Sequence, residues 1–317
     1  MAKLTRRFEF YLRPKPPYDF ELTVHKPAGW SLFTPFEIFE KGILWTALHI
    51  DGMLTGLKLR SQGTIERPLV QAQIFLKDTP TPEQKEAIKR ALAYRLNING
   101  NLGAFYLMAR KDPILRHTVD DLYGMHDTNP ESLFAEATLA ILLQMAPLKR
   151  SEEMMKCMIR NFGGVSEFNN KKIYVWPTPV DIAGLGAKEL GKCKLGYRTR
   201  YIQQLAKVSK AGSPSLEDLR QLDPVEAKRK LLKLPGIGDY SADIINPHGG
   251  FPIDAWSADV FGKLFYGNEP KQGRGAISKI KAEGIGRWGR FAWMAFLYVA
   301  HDLKGLSEKL GISLRLE

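Results

Sequence analysis

At 317 residues, 44% of them apolar, the chain is long enough for two or three domains with cores of their own and too apolar to be extensively disordered. It holds no run of about 18 apolar residues, which excludes a membrane-spanning helix, and its basic opening MAKLTRRFEF leads into no signal-like apolar stretch, so an intracellular protein is expected. Lys plus Arg exceed Asp plus Glu by 46 to 34, and a net charge of +12 suits a polyanionic partner, nucleic acid before a membrane surface, although a merely soluble basic enzyme would carry it too.

The first hundred residues read as strands. ILWTALHIDGMLTGLKLR, Ile43 to Arg60, holds two strand-like runs around Asp51-Gly52, a hairpin signal because glycine tolerates positive φ. VQAQIFLKD supplies a third strand. Thr81-Pro82 opens a helix, with threonine accepting at the N-cap and proline losing no bond at the first helical position. Ala87, Ile88, Ala91 and Leu92 then recur at helical spacing. From about Pro113 the texture turns helical. PESLFAEATLAILLQM is strongly apolar, breaks at Ala146-Pro147 and restarts as LKRSEEMMKCMIRNF. Further helix starts stand at Thr178-Pro179, at Ser215 with Asp218 three residues on, and at Asp223-Pro224. The expectation is an α+β chain, with an antiparallel sheet and helix over 1–112 and a helical body over 113–317.

Within that body, DPVEAKRKLLKL is an amphipathic helix that runs into PGIG, and DYSADII follows as a second helix. Over 224–246 this reads as a helix-hairpin-helix. Gly236 and Gly238 allow unusual φ and close backbone approach, Leu234 and Ile237 pack between the helices, and the second helix offers unpaired N–H groups to a phosphate. An ordinary corner between two helices is the plainer alternative. Sixteen residues past Gly238, in GGFPIDAW, stands Asp254, a carboxylate in apolar surroundings that suits either chemistry or the N-cap of the helix AWSADVFGKLF.

The stretch over 230–262 resembles the helix-hairpin-helix DNA glycosylases, whose catalytic aspartate follows the hairpin after a loop like FPID. LGYRTRYIQQLA, RWGRFAWMAFLYVAHDLK and VWPTP are similar to segments of the same superfamily, and the N-terminal sheet resembles the domain that precedes the core in 8-oxoguanine and AlkA-type 3-methyladenine glycosylases. The resemblance implies that Asp254 is catalytic. Two cysteines, Cys157 and Cys193, cannot hold the four-cysteine cluster of one branch, and neither metal nor cofactor is expected. Bifunctional 8-oxoguanine enzymes carry a lysine where Tyr240 stands, and their base-reading glutamine falls on Ala295 or Phe296 here. AlkA-type enzymes place an aromatic at Tyr240 and a tryptophan at Trp288, which favours monofunctional excision of alkylated purines.

By the same resemblance, Tyr240 and Trp288 wall the base pocket with Trp256 at its rim, or are core aromatics. Gln144 or Met145 wedges into the vacated stack, Met145 being alternatively a buried hydrophobe. Arg150, Tyr197 and Arg198 meet the widowed base, with Met145 where an asparagine usually accompanies them. The expected partner is duplex DNA carrying a damaged base, bound by a monomer. Two alternatives stand beside this reading: a glycosylase for oxidised or deaminated bases such as 8-oxoguanine, with or without lyase activity through another lysine, and a non-catalytic helix-hairpin-helix DNA-binding protein.

Overall fold

The computed structural model describes residues 1–28, 36–212, 214–267 and 274–314. In chain order it runs β1 (Ala2–Lys3), β2 (Arg6–Leu12), α1 (Phe20–Val24), β3 (Ile38–Glu40), β4 (Ile43–Ile50), β5 (Met53–Ser61), β6 (Val70–Leu76) and α2 (Pro82–Arg95). Two short helices, α3 (Gly103–Ala109) and α4 (Leu115–Asp121), precede α5 (Leu133–Leu143), α6 (Leu148–Phe162), β7 (Val165–Phe168), β8 (Lys171–Tyr174), α7 (Pro179–Ala183), α8 (Ala187–Gly191) and α9 (Arg198–Lys210). The chain closes with α10 (Leu216–Arg220), α11 (Pro224–Leu231), α12 (Asp239–Ile245), α13 (Ala255–Tyr266), α14 (Arg274–Trp288), α15 (Ala292–His301) and α16 (Leu303–Leu310). No helix among the described residues is long and apolar enough to cross a membrane.

These elements cluster into two compact units, Met1–Asn101 with Gly124–Ser213, and Leu102–Tyr123 with Pro214–Glu317. The boundary expected at 112 follows the change from strands to helices. Compactness divides the chain differently, because α5 to α9 cluster with the N-terminal strands and α3 and α4 with the C-terminal helices.

The first unit is built on a five-stranded antiparallel sheet of order β2-β6-β5-β4-β3. Its β4–β5 hairpin turns where expected, with Asp51 at φ 48° and Gly52 at φ 75°. Two consecutive positive φ values match the right-handed twist of the paired strands. Thr81 caps α2 in a reciprocal box with Gln84, and Ile88 and Leu92 bury against Leu57, Leu59 and Ile74 of the sheet. A second sheet, β1-β7-β8, was not legible in the sequence. Its β7–β8 hairpin turns at Asn169 and Asn170, both at positive φ, and Asn169 accepts a bond from the Trp45 indole at 3.0 Å. Asparagine reaches that region more readily than other side chains.

α5 is apolar on all sides because it is buried along its length. Even Glu136 is enclosed, and burial pushes its carboxyl up to about 8, against the nearby Arg95 charge and with help from Asp127. Cys157 on α6 forms a disulfide with Cys193 beyond α8, a link the sequence reading did not anticipate.

The second unit packs around aromatic rings. Phe251 stands edge-on to Phe261, Phe296 and Trp288 at centroid distances of 4.9, 6.1 and 5.6 Å. Such edge-to-face contacts add to the area that the rings bury. Asp223 caps α11 through the Val225 and Glu226 N–H groups, and Asp112 caps α4 through those of Ile114 and Leu115.

Candidate functional site

The candidate residues fall in both units. The second carries the hairpin and Asp254. α11 ends in a tight turn closed by bonds from the Leu234 N–H to the Leu231 carbonyl and from the Ile237 N–H to the Leu234 carbonyl, at 2.9 and 3.2 Å. Leu234 and Ile237 are buried, as their apolar character requires. Gly236 sits at φ 78°, where an L side chain is strained. Gly238 is different. It is the exposed N-cap of α12 at φ −99°, and a Cβ there would meet nothing within 4 Å. Its value lies in the open space it leaves before the helix start, where the N–H groups of the first turn have no partner inside the helix.

An ion cluster that the sequence did not reveal braces this turn. Lys228 of α11 bonds to Asp239 and to the buried Asp243 of α12, at 2.6 Å each, and Lys281 of α14 pairs with both carboxylates as well. Burial alone would raise the Asp239 carboxyl, but the two ammonium groups outweigh it and hold the group below its usual range. The same carboxylates hold the Lys228 ammonium above its ordinary value despite partial burial. The negative side chain that follows the Gly236–Gly238 turn is thereby neutralised.

α12 stops at Asn246 because Pro247 cannot continue it. The loop that follows folds tightly back. The Asn246 amide donates to the Pro224 carbonyl at 3.2 Å, and a Cβ on Gly250 would lie 2.6 Å from the side chain of Asp243, so only glycine lets the loop lie against the helix there. Phe251, Pro252 and Ile253 are then buried in succession and seat Asp254 half-exposed at the start of α13.

Asp254 is the N-cap of α13. Its Oδ1 accepts from the Ser257 N–H at 2.8 Å and from the Ser257 hydroxyl at 2.7 Å, and its own N–H donates to that hydroxyl at 2.8 Å. The cap expected as the plain alternative is therefore present. Tyr240 stands in the first turn of α12. The half-buried phenol interacts with the Asp254 carboxylate, and burial and that carboxylate together raise the phenol's pKa, so it stays neutral and able to donate.

Trp256 is half-buried in the first turn of α13. Trp288 is placed otherwise than a pocket wall requires. It is 3% exposed, its ring packs on Phe251, Phe261 and Phe265, and its indole N–H donates to the Asp112 carboxylate at 3.0 Å. The alternative of a core aromatic is the one that its surroundings support. Ala295 and Phe296, where a base-reading glutamine would fall, are buried as well.

The first unit carries the other candidates. Between α5 and α6 the chain makes a sharp tip, with Gln144 extended at ψ 125° and Met145 at φ 47°. Met145 is 95% exposed, so it is no buried hydrophobe. Tyr197 is 51% exposed, and its hydroxyl donates to the Gln144 carbonyl at 3.4 Å. Arg150 bonds to the Lys194 carbonyl at 2.7 Å and pairs with Glu153 at 3.5 Å. Arg198 is buried against the carbonyls of α5 and the tip.

No protein-family profile matches the chain. Its homologues and structural neighbours are helix-hairpin-helix DNA glycosylases. It is 29% identical over 188 residues to a DNA-3-methyladenine glycosylase of Bacillus subtilis, an alignment covering 57% of this chain and 62% of that protein. The chain thus spans less than two thirds of that relative's length. A probable N-glycosylase/DNA lyase of Methanothermobacter thermautotrophicus is 22% identical over 278 residues, covering 80% of this chain and 85% of that one. Among solved structures, the 3-methyladenine DNA glycosylase of Archaeoglobus fulgidus superposes with a TM-score of 0.75 at 23% identity, over 93% of this chain and 98% of that one. An 8-oxoguanine glycosylase/lyase of Clostridium acetobutylicum, in complex with double-stranded DNA containing cytosine opposite 8-oxoguanine, superposes with a TM-score of 0.70 at 17% identity, over 98% and 99% of the two chains. At these identities the superpositions establish the fold.

Proposed function

We propose that this chain is a monofunctional DNA glycosylase that hydrolyses the N-glycosidic bond of damaged, alkylated purines flipped out of duplex DNA. The observation that carries the reading is Asp254 itself, a part-exposed carboxylate fixed at the start of α13, sixteen residues past Gly238 and behind three buried residues. Breaking the bond generates positive charge on the sugar, and a fixed carboxylate beside it stabilises that charge by several kcal/mol in a dry site. Capping does not compete with this role. The cap engages Oδ1, so it fixes the carboxylate's orientation.

An alkylated purine is already cationic and leaves without a strong general acid. Tyr240 offers such a base an aromatic face, and cations are attracted to that face. The Gly236–Gly238 turn suits a phosphate of the same duplex, and Met145 suits the gap left by flipping, a step that costs a few kcal/mol. The lysines beside the hairpin speak against a lyase. Asp239 and Asp243 hold the Lys228 ammonium above its ordinary value, and a protonated amine is no nucleophile, while Lys281 is ion-paired with the same two carboxylates.

A panel of duplexes with one lesion each, scored with and without alkali, tests the proposal. Strand breaks after alkali alone on N-alkylpurine duplexes are expected. Breaks without alkali, or activity confined to 8-oxoguanine, would favour the second reading, which likeness to an 8-oxoguanine glycosylase/lyase over 98% of the chain keeps in view. No breaks on any lesion would leave a DNA-binding protein.

A further inference from the structure

Three helices of the second unit meet on two carboxylates. Asp239 and Asp243 stand four residues apart on α12, so they share one face of that helix. Lys228 of α11 and Lys281 of α14 each pair with both. The two acids are not equivalent. The Asp239 side chain is 64% exposed, whereas that of Asp243 is 4% exposed. A carboxylate so enclosed is tolerated only when paired, and removing one partner leaves its charge uncompensated. The buried part of the cluster therefore locks α11, α12 and α14 together.

Two of those helices also grip the segment that leads to Asp254. Gly250 lies so close to Asp243 of α12 that a Cβ would stand 2.6 Å from its side chain. Phe251, next in sequence, sets its ring against Gly284 of α14, one turn beyond Lys281, where there is no room for a Cβ. Neither glycine has a positive φ, so what each supplies is close approach and not an unusual backbone. Farther back, the Asn246 amide holds the Pro224 carbonyl at 3.2 Å, and the His248 ring lies 3.3 Å from the Leu219 carbonyl. The buried Pro252 and Ile253 then lead straight to Asp254 at the start of α13. The cap orients Asp254 on its own helix, while the Asp243–Lys281 pair joins the two helices between which its loop is held.

We infer that Asp243 and Lys281 are positioning residues that set where Asp254 stands relative to the hairpin. The inference rests on the glycosylase reading above. Lys281→Met keeps most of the stem and removes the charge. With the full chain on an N-methylpurine duplex, it should lower single-turnover excision at saturating duplex by at least about tenfold, within the roughly hundredfold that a misplacement of about 1 Å costs. Duplex affinity and its salt slope should hold, because no phosphate contact is removed. Amide exchange over 248–254, followed by mass spectrometry, should quicken as the loop loosens. Lys281→Arg, which keeps the charge, should recover most of the rate. Gly250→Ala forces the loop off Asp243 with the ion pairs intact, and it should lower the rate as Lys281→Met does, which decides the matter even if the methionine variant fails to fold. A folded Lys281→Met or Gly250→Ala with wild-type exchange and excision would overturn the inference and leave the glycosylase reading intact. A rate loss at subsaturating duplex alone, with a smaller salt slope, would make Lys281 a phosphate ligand and overturn it too. Absence of excision by the wild-type chain on every lesion would overturn both.

Discussion

Replacing Asp254 by asparagine separates the two tasks this residue carries. Asparagine keeps the shape, and its carbonyl oxygen can accept from the Ser257 N–H and hydroxyl as Oδ1 does now. The cap survives, since asparagine is as good an N-cap as aspartate. Only the charge at the start of α13 is lost, which costs about 0.3–1 kcal/mol through the helix dipole. Against an emerging sugar cation the loss is larger. An amide neither balances the positive charge nor takes a proton from water, and removal of one such group costs about 3–4 kcal/mol of transition-state stabilisation. A fall in single-turnover excision of at least about a hundredfold is therefore expected, with a melting temperature shifted by a few degrees at most. The assay is excision from an N-methylpurine duplex, scored after alkali, beside a thermal melt and a duplex titration. Asp254→Ala is the control. It loses the cap as well and should melt lower by about 1 kcal/mol of stability. An asparagine variant that excised at near the wild-type rate would make Asp254 a cap and nothing more.

Gly238→Asp should fold at least as well as wild type, because its Cβ meets nothing and aspartate is a favoured N-cap, yet it should bind every duplex more weakly, with a salt slope smaller by about 0.9 if one phosphate contact is lost. A filter-binding salt series that left the slope unchanged would remove the hairpin from the interface. Trp288→Phe should act on stability and not on chemistry: it strips the Asp112 carboxylate of its indole donor, at a cost of about 1–3 kcal/mol, while excision at saturating duplex stays within about twofold. A large loss of rate in a fully folded variant would return Trp288 to the pocket. For Glu136, the folded state keeps its proton up to about pH 8, whereas the unfolded chain releases it near the ordinary glutamate value of 4.5. The native state thus binds the extra proton between those values, and stability falls as pH rises through that window and levels off above it. Glu136→Gln should therefore gain stability over wild type at pH 8.5, on the order of a few kcal/mol, and little at pH 4. Denaturant melts giving the same difference at both pH values would refute this.

Local chemistry determined much of this protein in advance. The Asp51-Gly52 hairpin, the capped helix after Thr81, the break at Ala146-Pro147 and the Gly236–Gly238 turn all form where a few neighbouring residues demand them. Each depends on φ preference or capping within four residues, so no distant partner is needed to predict it. Asp254 was legible for the same reason, both as a candidate carboxylate and as a cap. The tertiary structure alone decided what happens to side chains whose partners lie far along the chain. Trp288 reads as either a pocket wall or a core aromatic until Asp112, 176 residues away, takes its N–H. Arg198 reads as a hand for DNA until the end of α5, more than fifty residues earlier, claims its donors. The Lys228–Asp243–Lys281 cluster and the Cys157–Cys193 bridge likewise join positions that no periodicity connects. A long polar side chain reaches several ångströms in any direction, and its bonding follows whichever unsatisfied group folding brings within reach. That is a property of the assembled packing, and the order of residues along the chain does not contain it locally.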